Sequence, residues 1–149
     1  EWLFRAFPDC TVIPVACGTQ TGTAQMHVMA GDGCHNTLRP EVGFGEGVHE
    51  AVGSFAVEVV TVASIQGDAD MLVVDTQGTE LDVLASADLE PLKLVIVETQ
   101  TSGHPEAASL TSVTDHMASR GWEPVLVWEH EPTESVWHGY ADVFFQRSL

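Results

Sequence analysis

Two carboxylates near the middle of the chain each follow an apolar run. Asp75 follows four apolar residues at 71–74, and Glu98 follows a second run at 95–97. Four consecutive apolar residues are too few for an ordinary helix and predict a strand that is buried on both faces. In an open α/β sheet, ligands bind at the carboxyl ends of the central strands. We therefore expect the two carboxylates to meet at one edge of the sheet, where they could hold a polar acceptor or a divalent cation, or simply face solvent.

Histidine supplies another group that exchanges protons near neutral pH. The chain has seven histidines, of which His35 lies in the glycine-rich stretch 30–53 and His104 lies shortly after Glu98. Either could act as a base beside the carboxylates, although each, taken alone, also fits a surface residue. No two histidines have the spacing of a known metal site, so the sequence assigns no histidine to a metal ion.

The residues after Asp75 indicate how the carboxylate is positioned. Gly78 permits a tight turn, and apolar residues at helical spacing then predict a helix over 79–87. Glu80 falls in the first turn of that helix, where a carboxylate suits the positive end of the helix dipole, so we expect a structural role for it. Asp75 itself could alternatively cap the helix by accepting backbone N–H groups.

The rest of the chain reads as an alternation of strands and helices. Strand patterns occupy residues 10–17, 24–29, 55–62, 93–98, 122–128 and 139–146, and a helix pattern occupies residues 106–119. We expect 10–29 to form a hairpin-like unit and the last two strands to form an antiparallel pair. This order predicts the later half of a doubly wound α/β sheet.

Composition excludes several classes of function. The net charge is −17, from 22 acids against five lysines and arginines. Such a surface repels phosphate backbones and anionic membranes, so we expect neither nucleic acid nor a membrane as a partner. No run approaches the ~18 apolar residues of a membrane span, and three cysteines are too few for a disulfide framework. The sequence therefore predicts a single cytoplasmic domain.

The residues that follow the apolar run 71–74 have the pattern Asp75-x-Gln77-Gly78-x-Glu80-x-x-Val83-Leu84. This pattern resembles the signature of the FkbM family of S-adenosylmethionine-dependent methyltransferases. Weaker similarity extends over roughly residues 7–147 and includes the family's strands and turns at 12–18, 22–24, 95–98, 121–125 and 140–145.

The resemblance implies a Rossmann-like sheet, S-adenosylmethionine as cofactor, and methylation of a hydroxyl on a sugar or other small natural product. It places Asp75 where cofactor and acceptor meet, with Glu98, His35 or His104 as the assisting group. It also implies a cofactor site formed by Asp75 and Gln77 together with the backbone around Val15 and Ala16.

The resemblance further implies that part of the family's fold lies before residue 1. The family's first strand, its glycine-containing cofactor loop and the acid that ends its second strand have no counterpart in residues 1–149. We therefore expect a single methyltransferase-like domain that lacks its first βαβ unit. The strands at 10–17 and 71–75 would then either pair directly or keep unpaired edges, which a preceding segment or a partner chain could complete.

Two other interpretations fit the same residues. One is a non-catalytic methyltransferase-like module that has lost the cofactor half and serves in binding or assembly, which the missing glycine loop favours. The other is an unrelated acidic α/β binding domain. Retention of Asp75, Gln77, Gly78 and Glu80 favours the enzyme.

Overall fold

The computed structural model describes residues 8–30, 36–39, 51–101, 108–130 and 139–148. Within these ranges the chain is a mixed α/β structure with two sheets. Its elements, in chain order, are β1 (Ala16–Cys17), β2 (Gly22–Met29), β3 (Ala51–Val60), α1 (Val62–Ile65), β4 (Met71–Val74), α2 (Glu80–Ser86), β5 (Leu94–Gln100), α3 (Leu110–Ala118), β6 (Trp122–Glu129) and β7 (Tyr140–Arg147).

The larger sheet has the strand order β4-β5-β7-β6. Strands β4 and β5 are parallel, with Val74 opposite Val97, so both strands end at the same edge of the sheet. Strands β6 and β7 are antiparallel, which confirms the predicted closing pair. Because Asp75 and Glu98 each follow one of the paired valines, the parallel register brings them to neighbouring positions.

Helices α2 and α3 pack against one face of this sheet. The predicted apolar stripe of α3 is confirmed, because Val113 and Met117 are completely buried. Gly121, with φ +77°, follows the helix in a conformation that favours glycine. The core between helices and sheet includes the most deeply buried side chains, those of Val74, Leu84, Val95, Val97, Val113, Met117, Trp122, Val143 and Phe145.

The prediction that the strand before Asp75 is buried on both faces is wrong. Met71 and Val73 are 52% and 59% exposed, whereas Val74 is buried and Leu72 packs against the core. Helices α2 and α3 cover only the face that carries Leu72 and Val74. In the part of the chain that the structure describes, β4 is also an edge strand, so its other face and its outer edge are both open.

The predicted hairpin over residues 10–29 is also wrong. Strand β2 pairs antiparallel with β3 along its whole length, and β1 pairs with β3 in parallel. Only Ala16 and Cys17 of the predicted strand 10–17 join a ladder, because Pro14 has no N–H to donate. The ten-residue strand β3 offers β2 a longer partner than the residues that precede it.

Strands β1 and β4 belong to different sheets and do not pair directly. Among the described residues each keeps one unpaired edge, which is the second of the two arrangements expected from the sequence. No helix within the same ranges has the length and hydropathy needed to span a membrane.

Candidate active site

A crevice of about 650 Å³ lies between β1 and β4 and extends along the whole of β4 to the residues that follow its carboxyl end. All four residues assigned to the cofactor, Val15, Ala16, Asp75 and Gln77, line it. Its wall is mainly apolar, with polar groups gathered near the carboxyl end of β4. This combination of size and lining is typical of small-molecule sites.

The turn after β4 places the polar groups of the site. Gly78 has φ +105°, which confirms that this position uses the freedom of glycine, and Gln77 has φ +54°, which is unfavourable for a residue with a side chain. The Gln77 amide Nε2 donates to Asp75 Oδ1 at 2.9 Å and to Glu98 Oε2 at 3.1 Å. A single amide thus joins the two acids that the sequence expected to meet.

Glu80 holds this turn in place. Its side chain is buried, and its Oε1 accepts the backbone N–H of Gly78 at 2.9 Å and both the N–H and the hydroxyl of Thr76 at 3.2 Å. The structural role expected for Glu80 is therefore present. Because Glu80 accepts the N–H groups of the turn, the exposed carboxylate of Asp75 is left to face the crevice.

Replacing Glu80 with alanine should lower the free energy of unfolding by about 2 kcal/mol, because two backbone N–H groups lose a charged acceptor. Hydrogen exchange at the amides of Thr76 and Gly78 should accelerate in the same variant. Urea unfolding and exchange rates measure the two effects, with the exposed Asp115→Ala on α3 as the matched control. Equal stability of the two variants would show that Glu80 does not hold the turn.

Thr37 is a site residue that the sequence did not reveal. It is completely buried, and its hydroxyl donates to the Gln77 carbonyl at 2.8 Å. Arg39, two residues later, pairs with Asp82 of α2 at 2.8 Å. The segment 36–39 therefore supports the turn from outside. A bond between residues 40 positions apart leaves no spacing pattern in the sequence that could have indicated it.

Glu98 has the protonation behaviour of a base that works near neutral pH. Burial, followed by the charge of Asp75, a hydrogen bond with Asp75 and the charge of Asp142, raises the pKa of Glu98 to about 7. The hydrogen bond from Gln77 acts in the opposite direction. A carboxylate with this pKa can accept and release a proton under working conditions.

A second, much smaller cleft lies beside Glu98. It has a volume of about 10 Å³, close to the room of one water, and is lined in part by Gln77, Glu98 and Tyr140. Burial, and then the charge of Glu98, raise the pKa of the Tyr140 hydroxyl. Gln77 lines both cavities, so it forms a wall that they share.

The two histidines proposed as bases, His35 and His104, lie outside the described residues. The structure instead places His130 near the acids. Its Nε2 lies 3.0 Å from Asp142 Oδ2, and Asp142 stands opposite Glu98 in the β5–β7 ladder. Only the strand register shows this neighbourhood, and sequence patterns do not fix that register. Within the described ranges, no three His, Cys, Asp or Glu side chains lie together as potential metal ligands.

An open crevice at the carboxyl ends of two parallel strands, with two linked acids beside it, is compatible with a methyltransferase domain. Comparison with protein families gives the particular family. Residues 3–124 match the Methyltransferase FkbM domain, and the chain therefore belongs to this family. The match confirms the resemblance drawn from the sequence and includes Asp75, Gln77 and Glu98. Searches of curated proteins and of solved structures find no match.

Proposed function

We propose that this domain transfers a methyl group from S-adenosylmethionine to a hydroxyl of a sugar or other small natural product. The observation that carries the proposal is the hydrogen-bonded set Asp75, Gln77 and Glu98, beside a crevice that also contains Val15 and Ala16. Members of the FkbM family are generally dependent on S-adenosylmethionine, which agrees with this site.

The end of the crevice near Asp75 and Gln77 fits the cofactor in chemistry. Apolar groups at Val15 and Ala16 suit the faces of an adenine ring, and the carboxylate of Asp75 suits a cationic group. When bound, S-adenosylmethionine supplies an electrophilic methyl group on a sulfonium. The amide of Gln77 is already bonded to Asp75 and Glu98, so its contribution is to fix the positions of both carboxylates.

Two side chains of this chain orient the acceptor hydroxyl and remove its proton. Asp75 orients the acceptor hydroxyl, which removes much of the entropic cost of bringing the reacting groups together. Glu98 takes the proton that this hydroxyl releases, and its pKa of about 7 leaves a large share of it ionised near neutral pH.

We also propose that further β-structure completes the larger sheet into a Rossmann-like arrangement. The outer edge of β4 is unpaired among the described residues, and the side chains of Met71 and Val73 are exposed. Open strand edges and uncovered apolar faces are normally paired or covered. A segment that precedes residue 1, or a partner chain, would fill the space along β4 and leave the end at Asp75 and Gln77 for the cofactor.

The same open edge favours one alternative. A module that only binds another chain through β4 would also expose Met71 and Val73, and would not need the acids. Cofactor binding separates this non-catalytic alternative from the enzyme.

Calorimetry with S-adenosylmethionine tests the proposal. We expect the product of the complete reading frame to bind with a dissociation constant of roughly 1 μM to 1 mM, the usual range for substrates of enzymes. The same titration of residues 1–149 alone shows how much of the cofactor site these residues supply. If neither protein released heat, the catalytic proposal would fail and the binding module would remain.

A further inference from the structure

Three of the four described lysine and arginine residues are separated from the candidate active site. The chain has five such residues, of which Arg5 lies outside the described residues. Lys93 directly precedes β5, Arg120 lies two residues after the end of α3, and Arg147 ends β7, so all three lie at the edge of the larger sheet where β5 begins. Lys93 is five residues from Glu98, about 16 Å along the strand. This distance exceeds the Debye length of about 8 Å at physiological ionic strength.

Among the described residues, the arginine on the same side of the sheet as the site already forms an ion pair. Arg39 pairs with Asp82 at 2.8 Å. No lysine, arginine or histidine is among the described residues that line the crevice or the small cleft, whereas Asp75 lines the former and Glu98 the latter.

The segments that border the site in sequence add no lysine or arginine. Residues 31–35, 40–50, 102–107 and 131–138 contain acids and histidines but neither of these two cations.

We infer that the acceptor site selects hydroxyls on molecules that carry no phosphate or carboxylate near the reacting oxygen. This inference rests on the proposed function and narrows its substrate class to neutral sugars and polyols, or to amino sugars. An anionic group beside the hydroxyl would face Asp75, Glu98 and Asp142, and Arg39, the described arginine on this side, is already paired with Asp82. Repulsion between like charges at a recognition site lowers the affinity for the wrong partner, and so gives specificity without raising the affinity for the right one.

The selection should depend on pH. Glu98 faces Asp75 and Gln77 from β4 and its turn, and Asp142 and Tyr140 from β7. As pH falls below neutral, Glu98 takes up a proton. His130 Nε2 lies 3.0 Å from Asp142 Oδ2, so it also faces this group of acids. Protonation of Glu98 weakens the repulsion, so an anionic acceptor should be rejected more strongly at about pH 8 than at about pH 6.

Paired nitroxide probes measure this charge pattern without any substrate. Two probes with the same ring, one bearing an ammonium and one a carboxylate, are added to the isotopically labelled full protein at physiological salt. For each amide proton we take the ratio of its relaxation enhancement by the cationic probe to that by the anionic probe. We expect this ratio to be at least about twofold larger at Gln77, Gly78 and Tyr140 than at Lys93 and Ser148, which lie at the opposite edge. Equal ratios at the two edges would overturn the inference.

Variants locate the source of the effect. Asp142→Asn should reduce the probe difference at Tyr140, whereas Glu123→Gln, at the start of β6 near the opposite edge, should leave it unchanged. An unchanged ratio at Tyr140 in the Asp142 variant would contradict the assignment.

Acceptor competition gives the functional readout. Transfer to glucose 6-phosphate should be about tenfold slower than to methyl glucoside at about pH 8, and the gap should narrow at about pH 6 or at high salt. Equal rates, or faster transfer to the phosphate, would overturn the inference. If neither sugar were methylated, the proposed acceptor class would fail, whereas the probe ratios would still decide whether the site excludes anions.

Discussion

Replacing Asp75 with asparagine should slow methyl transfer by a factor of about 10² to 10⁴, the range found when a group that positions or exchanges a proton is removed. The carboxylate lies at the carboxyl end of β4 and faces the crevice. Asparagine keeps the size of the side chain and an oxygen that can accept the bond from Gln77 Nε2. It loses the negative charge that orients the hydroxyl and faces the cationic donor. At about pH 5, where Glu98 is largely protonated, the free energy of unfolding should change by less than about 0.5 kcal/mol, because Asp75 is exposed.

Asp70→Asn provides the matched control for this variant. Asp70 directly precedes the same strand, at its other end, and pairs with Lys93 on the surface at 2.9 Å. Steady-state transfer assays and thermal unfolding of both variants separate a chemical role from a structural one. Transfer by the Asp75 variant at the rate of the Asp70 control would remove Asp75 from the mechanism.

Replacing Glu98 with glutamine should stabilise the fold and impair the reaction at the same time. Because folding raises the pKa of Glu98 from 4.5 to about 7, the folded state binds more protons than the unfolded state between these values. Stability therefore falls as pH rises through this window, and the loss is complete above about pH 7. Glutamine does not ionise, so the variant should be more stable at about pH 8, by about 1–2 kcal/mol after allowance for the partial exposure of this position.

The same substitution should change the pH profile of transfer. In the unmodified protein, kcat/KM should rise with pH through about 7, as Glu98 becomes ionised and able to accept a proton. The variant should be slower and should lack this rise. Urea unfolding at about pH 5 and pH 8, with Glu123→Gln as control, tests the stability effect. A pH profile that keeps its inflection near 7 in the variant would assign that proton to another group.

The parts of the site that follow from local patterns could be predicted. The apolar run before Asp75, the glycine and the helical spacing after it specify the strand, the turn and α2. The second apolar run specifies β5, and the parallel connection through α2 is sufficient to bring Glu98 next to Asp75. These elements depend on residues close together in the sequence.

The parts that depend on distant partners could not be predicted. Whether Met71 and Val73 are covered depends on what packs against β4, and four apolar residues look the same in either case. The partner of β2 was missed because the alternation 24–29 fits β3 as well as it fits the preceding residues. Tyr140 reaches Glu98 only through the β5–β7 register, which single-strand patterns do not determine.

Chemical-shift mapping with S-adenosylhomocysteine, the demethylated form of the cofactor, tests the central claim most directly. The claim is that the crevice between β1 and the carboxyl end of β4 holds the methyl donor. On titration of the full protein, the largest shifts should fall on the amides of Ala16, Asp75 and Gln77, with little change at Asp70 at the far end of β4. Saturable shifts that cluster elsewhere and leave Ala16 and Gln77 unmoved would contradict the account.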